Sequence, residues 1–148
     1  MKWYYKGEVY DPAYEDIPED VLGFVYIITE TETGKKYVGQ KRMRKPKTLP
    51  ITKSRLRRVK TIVESDWRTY YSSSSIIKED VVRGLSRLYE REIIRFGGSK
   101  GDLNYLETRE QIERDVLFDE NYLNGIVNCK IHKKHISKRL KKEFGYDN

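Results

Sequence analysis

Two tyrosines carry the first chemical signal. Tyr26 lies in Gly-Phe-Val-Tyr-Ile (23–27), Tyr37 opens Tyr-Val-Gly (37–39), and ten residues separate them. Residues 23–29 are rich in Val, Ile, Tyr and Phe and read as a buried strand. Thr33-Gly34 is a turn signal, and Lys36–Gly39 reads as a second, shorter strand. Alternation along a strand sets Tyr26 with Phe24 and Ile28, opposite Val25 and Ile27. In an antiparallel hairpin with an even loop, Tyr26 and Tyr37 share a face, with the two phenols within about 5–8 Å of each other. Such a pair fits an aromatic core as well as a reactive face, and the hairpin alone favours core.

Charge points to a partner. The 148-residue chain has a net charge of +7. Residues 41–60 hold ten Lys/Arg and no acid, and residues 130–144 hold seven Lys/Arg and one acid. Taking +10 and +6 from +7 leaves the remainder at −9. Cations concentrated on an acidic body suit a polyanion, because Lys and Arg gain by displacing counterions from phosphates, and aromatics among them stack on bases. Nucleic acid is therefore the expected partner. One cysteine, Cys129, rules out an intrachain disulfide framework and suits a reducing compartment. The opening MKWYYKGEVYDP lacks the apolar stretch of a signal peptide, and no run approaches 18 apolar residues. A cytoplasmic protein that engages no membrane is expected.

The elements that must position these residues follow from patterning. The length suits one domain, divided as an aromatic, acidic arm (1–21), a main body (22–128) with a basic insertion (41–66), and a basic tail (129–148). Residues 43–60 lack apolar periodicity and contain Pro46 and Pro50, which reads as an exposed basic loop. Ser72–Ser75 precede a helix carrying Ile76, Ile77, Val81, Val82, Leu85 and Leu88. YEREIIRF (89–96) suits a third strand before Gly97-Gly98, and Asp102 is placed to cap a helix over about 103–117. YLNGIVN (122–128) reads as a turn and a short strand. Ile136, Leu140 and Phe144 form the apolar stripe of a tail helix over 131–144. The expected fold is α/β: a small, three-stranded, mainly antiparallel sheet flanked by helices. Cys129, His132 and His135 have metal-ligand types, but the spacing and the lack of a fourth ligand make a zinc site a weak reading.

Gly-Phe-Val-Tyr followed ten residues later by Tyr-Val-Gly resembles the GIY-YIG nuclease signature. The element order agrees, and the resemblance covers about residues 22–128. ESDWRTYYSSS (64–74) and NYLETREQ (104–111) are similar to segments of small phage-encoded members of the family. For a phage-encoded protein the compartment would be the host cytoplasm. The resemblance implies a metal-dependent DNA endonuclease hydrolysing phosphodiester bonds with one divalent ion, Mg²⁺ or Mn²⁺.

It also implies roles for residues. Tyr26 or Tyr37 would position and deprotonate the attacking water. A phenol with a pKa near 10 is a poor base at neutral pH unless cations lower it, and Lys41 and Arg42 would supply them. Glu107, preceded by Leu106, matches the family's metal ligand, with Glu110 as competitor among the four acids of 105–115. A single carboxylate suffices for a hard ion completed by water and phosphate oxygens. The family's closing asparagine matches Asn124 or Asn128. The short helix that members place after Tyr-Val-Gly, with an arginine and a histidine or tyrosine, is interrupted here by Pro46 and Pro50. Arg68 with Tyr70 or Tyr71 is the expected substitute, and Lys41 or Arg42 is the alternative phosphate contact. Arg55, Arg57, Arg58, Lys60 and Asn124 are the expected nucleic-acid contacts, with a non-catalytic nucleic-acid-binding protein on the same scaffold as the rival reading.

Overall fold

The computed structural model describes residues 2–146. Five strands make its main sheet: β1 (Trp3–Tyr5), β2 (Glu8–Tyr10), β3 (Gly23–Glu30), β4 (Lys36–Arg42) and β7 (Tyr89–Gly97). Their order across the sheet is β2-β1-β7-β3-β4. The expected three strands β3, β4 and β7 are present, but the N-terminal residues add two more. The β1 strand pairs with β7 in parallel, whereas β3 pairs antiparallel with both β4 and β7. Tyr4, Tyr5, Val9 and Tyr10 are β-favouring types within two short runs. Lys6 and Gly7, both at positive φ, form the two-residue turn between them.

β3 is covered on both faces. Phe24, Tyr26 and Ile28 pack with Trp3, Ile17, Met43, Trp67, Ile77 and Tyr89 on one side. Val25 and Ile27 pack with Val38, Leu106, Val116 and Leu140 on the other. The second side is roofed by α2 (Lys100–Glu113). The first is closed by the N-terminal residues, the 66–74 segment and α1 (Ser75–Val82). α1 stops earlier than its apolar pattern suggests, because Gly84 takes a positive φ just past the helix end and turns the chain.

Several expectations change. The 43–60 segment is not a loop but most of a two-stranded ribbon, β5 (Arg44–Leu49) with β6 (Val59–Glu64), separate from the main sheet. Pro46 is tolerated because each strand of a two-stranded ribbon is an edge. The cap of α2 is Ser99, whose hydroxyl accepts from Asp102 N, so Asp102 sits in the first turn instead. No strand forms over 122–128. Tyr122 makes only an isolated bridge to Lys36. The tail helix contracts to α3 (Lys138–Glu143), capped by Ser137.

Asp102 ties that tail to the body. Its fully buried carboxylate accepts from Gly98 N, Ser137 N and Ser137 Oγ. A buried carboxylate is tolerable only when so satisfied. Asp102→Ala strands three donors and should lower unfolding free energy by at least about 1–3 kcal/mol, read from the urea midpoint. An unchanged midpoint would show that the tail docks independently of this carboxylate.

Candidate active site

Edge strand β4 divides the site. Tyr37, Gly39 and Lys41 face the tyrosine side of the sheet, whereas Val38, Gln40 and Arg42 alternate to the α2 side. Ile28 pairs with Tyr37 and Tyr26 with Gly39, so the two tyrosines are diagonal neighbours with ring centroids 6.4 Å apart. A Cβ at Gly39 would collide with Tyr26 Oη and lie 2.6 Å from Cζ. The glycine after Tyr37-Val38 is therefore the gap that lets the Tyr26 phenol cross its partner strand.

On the tyrosine side, Tyr26 is fully buried, and its ring meets Tyr70 at 6.0 Å. Burial, with the neighbouring Tyr70 and Tyr37 phenols, pushes its pKa well above the usual phenol value. The expected lowering by cations does not occur, and Tyr26 is a neutral phenol. Its hydroxyl makes no aligned hydrogen bond among the described residues, although Tyr70 and Ser72 border it. Tyr37 is half-buried, and its hydroxyl shares a 2.9 Å hydrogen bond with Ser73 Oγ. Lys41 pairs with Asp66 at 2.6 Å and lies 4.1 Å from the Tyr70 ring. Ser72 holds a positive φ beside this cluster, a costly conformation for serine that its surroundings must enforce.

The 66–74 segment thus reaches the tyrosines, but through Tyr70, Ser72 and Ser73. Tyr71 instead lies against the Arg91 guanidinium, 4.1 Å away. Arg68 turns to Asp11, Glu64 and the Pro12 carbonyl. Trp67 is buried in the core, as its type suggested.

On the α2 side, Glu107 is half-buried and makes no ion pair among the described residues. Burial raises its pKa, opposed by hydrogen bonding from the Gln40 and Gln111 amides. Gln111 donates to Glu107 Oε1 at 3.1 Å, and Gln40 donates to Asn104 at 2.8 Å. Glu110 is different: it is buried between Arg95 and Arg114, at 3.2 and 3.1 Å. Of the two acids, Glu107 is the one without a cationic partner among the described residues. Among the described residues no three His, Cys, Asp or Glu side chains converge, so an all-protein metal cage is not built. One unpaired, partly desolvated carboxylate held by amides fits a hard ion that keeps most of its water. Exposed Arg42 lies on the same face of β4 and makes no ion pair among the described residues.

Asn124 is buried and closes the edge of the sheet. Its side chain accepts from Val38 N at 3.0 Å and donates to Val38 O at 2.8 Å, as a neighbouring strand would. These two bonds give Asn124 a positioning role on β4. Asn128 is exposed. Arg55 bonds the Pro50 carbonyl at the ribbon tip, while Arg57, Arg58 and Lys60 are exposed. His132 and His135 meet edge to face in the tail, and Cys129 is exposed.

The family model described as "Putative endonuclease segE, GIY-YIG domain" matches residues 3–127. The chain belongs to the GIY-YIG family. No curated protein and no solved structure matched in the corresponding comparisons. The GIY-YIG match begins at Trp3 and so includes β1 and β2, which lie outside the hairpin motif. No helix among the described residues is long and apolar enough to cross a membrane.

The amides around Glu107 were missed from the sequence. The i,i+4 spacing of Glu107 and Gln111 on one helix was a usable signal. Gln40 and Asn104 meet only across the fold.

Packing at the tyrosine crossing is directly testable. Gly39→Ala should cost about 1–3 kcal/mol through overpacking. Tyr26→Phe should leave stability unchanged or slightly higher, because it removes an unpaired buried hydroxyl. A decrease above about 1 kcal/mol in Tyr26→Phe would mean that the hydroxyl is bonded to Tyr70 or Ser72.

Proposed function

We propose that this GIY-YIG chain is a divalent-metal-dependent endonuclease that hydrolyses DNA phosphodiesters, with Glu107 as its metal ligand. The observation that carries the reading is the half-buried Glu107 carboxylate, without an ion pair among the described residues, in a chain whose family match spans residues 3–127. A bound Mg²⁺ or Mn²⁺ would supply positive charge against the anion that builds on the phosphate oxygens. In the reaction, a water oxygen bonds to phosphorus as the bond to the leaving oxygen breaks. The water loses a proton and the leaving oxygen gains one.

Each group has a task suited to its surroundings. Gln40 and Gln111 orient Glu107 and leave it a lone pair for the ion. Arg42, exposed beside Gln40, contacts the phosphate. Tyr37 is the phenol that meets the water, because its hydroxyl is bonded to the Ser73 hydroxyl and the side chain is only half-buried. Tyr26 serves as a neutral wall behind it. Lys41 acts by holding Asp66 and Tyr70 in place.

A second reading has its own support. Lys41 is paired with Asp66, Arg68 with Asp11 and Glu64, and Tyr26 is neutral. With its cations so occupied, the tyrosine face suits a nucleic-acid-binding protein that does not cut.

Glu107→Gln separates the two. It keeps the shape and removes the charge, so Mg²⁺-dependent nicking of plasmid should vanish while DNA affinity holds or rises. Glu113→Gln is the control, being exposed on the same helix and paired with Arg109. Glu110→Gln is unsuitable as a control, since it would strand two arginines. A burial-raised pKa also fixes the sign of the pH response. Glu107 takes up a proton at higher pH than an ordinary glutamate, so the Mg²⁺ concentration needed for half-maximal nicking should climb as pH falls, starting above the usual carboxylate range. Full nicking by Glu107→Gln, or a metal requirement flat across that range, would remove Glu107 from the site.

A further inference from the structure

The ribbon β5–β6 is anchored only at its base. Met43 is buried and its amide bonds the Leu22 carbonyl, while Ser65 N bonds the Met43 carbonyl. The Arg44 guanidinium takes the carbonyls of Ile17, Pro18 and Val21. Beyond this base no residue from Lys45 to Val63 is buried. The tip is nevertheless ordered, by mutual backbone bonds between Thr52 and Arg55 and by the Arg55 bond to Pro50.

Its two faces differ. Paired residues share a face, so Arg44, Glu64, Pro46, Ile62, Thr48 and Lys60 lie together. Arg44 is bound to the body, and Pro46 and Ile62, with the neighbouring Lys45, line a cleft against Glu19, Val21 and Leu22. Away from that base, Thr48, Lys60 and Ile62 on this face are exposed. The opposite face presents Lys45, Lys47 and Thr61, with Leu49 and Val59 at its outer end. Lys45, Lys47, Lys53, Arg57, Arg58 and Lys60 are exposed and make no ion pair among the described residues.

Resting on the nuclease reading above, we propose that this ribbon enters the major groove of duplex DNA and reads base edges with the Lys45, Lys47 and Thr61 face. The dimensions select the groove. A two-stranded ribbon fits the major groove of undistorted B-DNA, about 12 Å wide, whereas the minor groove, about 6 Å wide, admits one only when the duplex is bent and the groove widened. The chemistry of the face matches what that groove displays. Lysine donates to guanine O6 and N7, threonine bonds either kind of edge, and Leu49 and Val59 suit thymine methyls. Arg57 and Arg58 at the tip hold phosphates, which sets position without sequence. The ribbon thus gives the nuclease domain a sequence-reading arm distinct from the Glu107 site.

The test uses the full chain in EDTA, where DNA can bind without being cut. A random duplex library gives the preferred sequence, and guanine N7 methylation interference maps major-groove binding. At one or more guanines, methylation should weaken wild-type binding by about 10-fold or more. Lys47→Ala should abolish that interference and relax the preference there, whereas Lys60→Ala should weaken all sequences about equally. Arg57→Ala with Arg58→Ala should flatten the dependence of log K on log salt by about 0.9 for each phosphate no longer neutralised. These are exposed positions, and thermal melting checks that each variant folds. An unchanged preference in Lys47→Ala, its disappearance in Lys60→Ala instead, or interference confined to adenine N3 in the minor groove overturns the inference while leaving the nuclease reading intact. Failure of the wild-type chain to bind any duplex overturns both.

Discussion

Strand β3 has no solvent face, and the rest of the structure follows from that constraint. Every residue from Gly23 to Ile28 is buried, so each face needs its own cover. One cover is α2, local in sequence to β7. The other is assembled from distant pieces: Trp3 from the N-terminus, Ile17 and Met43 from loops, Trp67 from the segment after the ribbon, and Ile77 from α1. Trp3 and Trp67 are joined directly, the Trp3 indole donating to the Trp67 carbonyl at 2.7 Å. Burying aromatic rings of this size contributes more than any polar contact nearby. The N-terminal strands are therefore part of the core that holds the tyrosine pair.

The same constraint separates the functional groups. Alternation along β4 cannot send Tyr37 and Glu107's neighbour Gln40 to one side, because they differ by an odd number of residues. The phenols lie over one core and the carboxylate over the other, with the edge strand between them. Asn124 and Gln111 hold that edge by bonding the Val38 peptide group from outside. An edge with its backbone groups so occupied is protected from pairing with another chain. It also fixes the strand that carries both halves of the candidate site.

Electrostatic environment sorts residues of the same type. Glu107 and Glu110 are one turn apart, yet one is held by amides and the other clamped by two arginines. Tyr26 and Tyr37 are diagonal neighbours, yet one is a sealed neutral phenol and the other meets solvent. Tyr70 and Tyr71 are adjacent, yet one joins the tyrosine cluster and the other flanks Arg91. In each pair, only the surrounding charges and burial give the two residues different chemistry.

The sequence by itself determined the hairpin, the shared face of Tyr26 and Tyr37, the strand at YEREIIRF and the Leu106-Glu107 helix. These rest on local periodicity and on a motif whose glycine has a steric reason within the hairpin. It determined the net charge of the basic segment, but not its shape. A ribbon with neither face buried leaves no apolar alternation, so β5 and β6 were unreadable, and the five-stranded sheet was hidden because β1 and β2 are too short to signal. Only the tertiary structure decided that Arg68 is an ion-pair partner, that Asn124 clasps Val38, that the Tyr26 phenol is sealed from solvent and that Glu110 is clamped by two arginines. Those outcomes depend on groups dozens of residues away, and desolvation and pairing are properties of the assembled site.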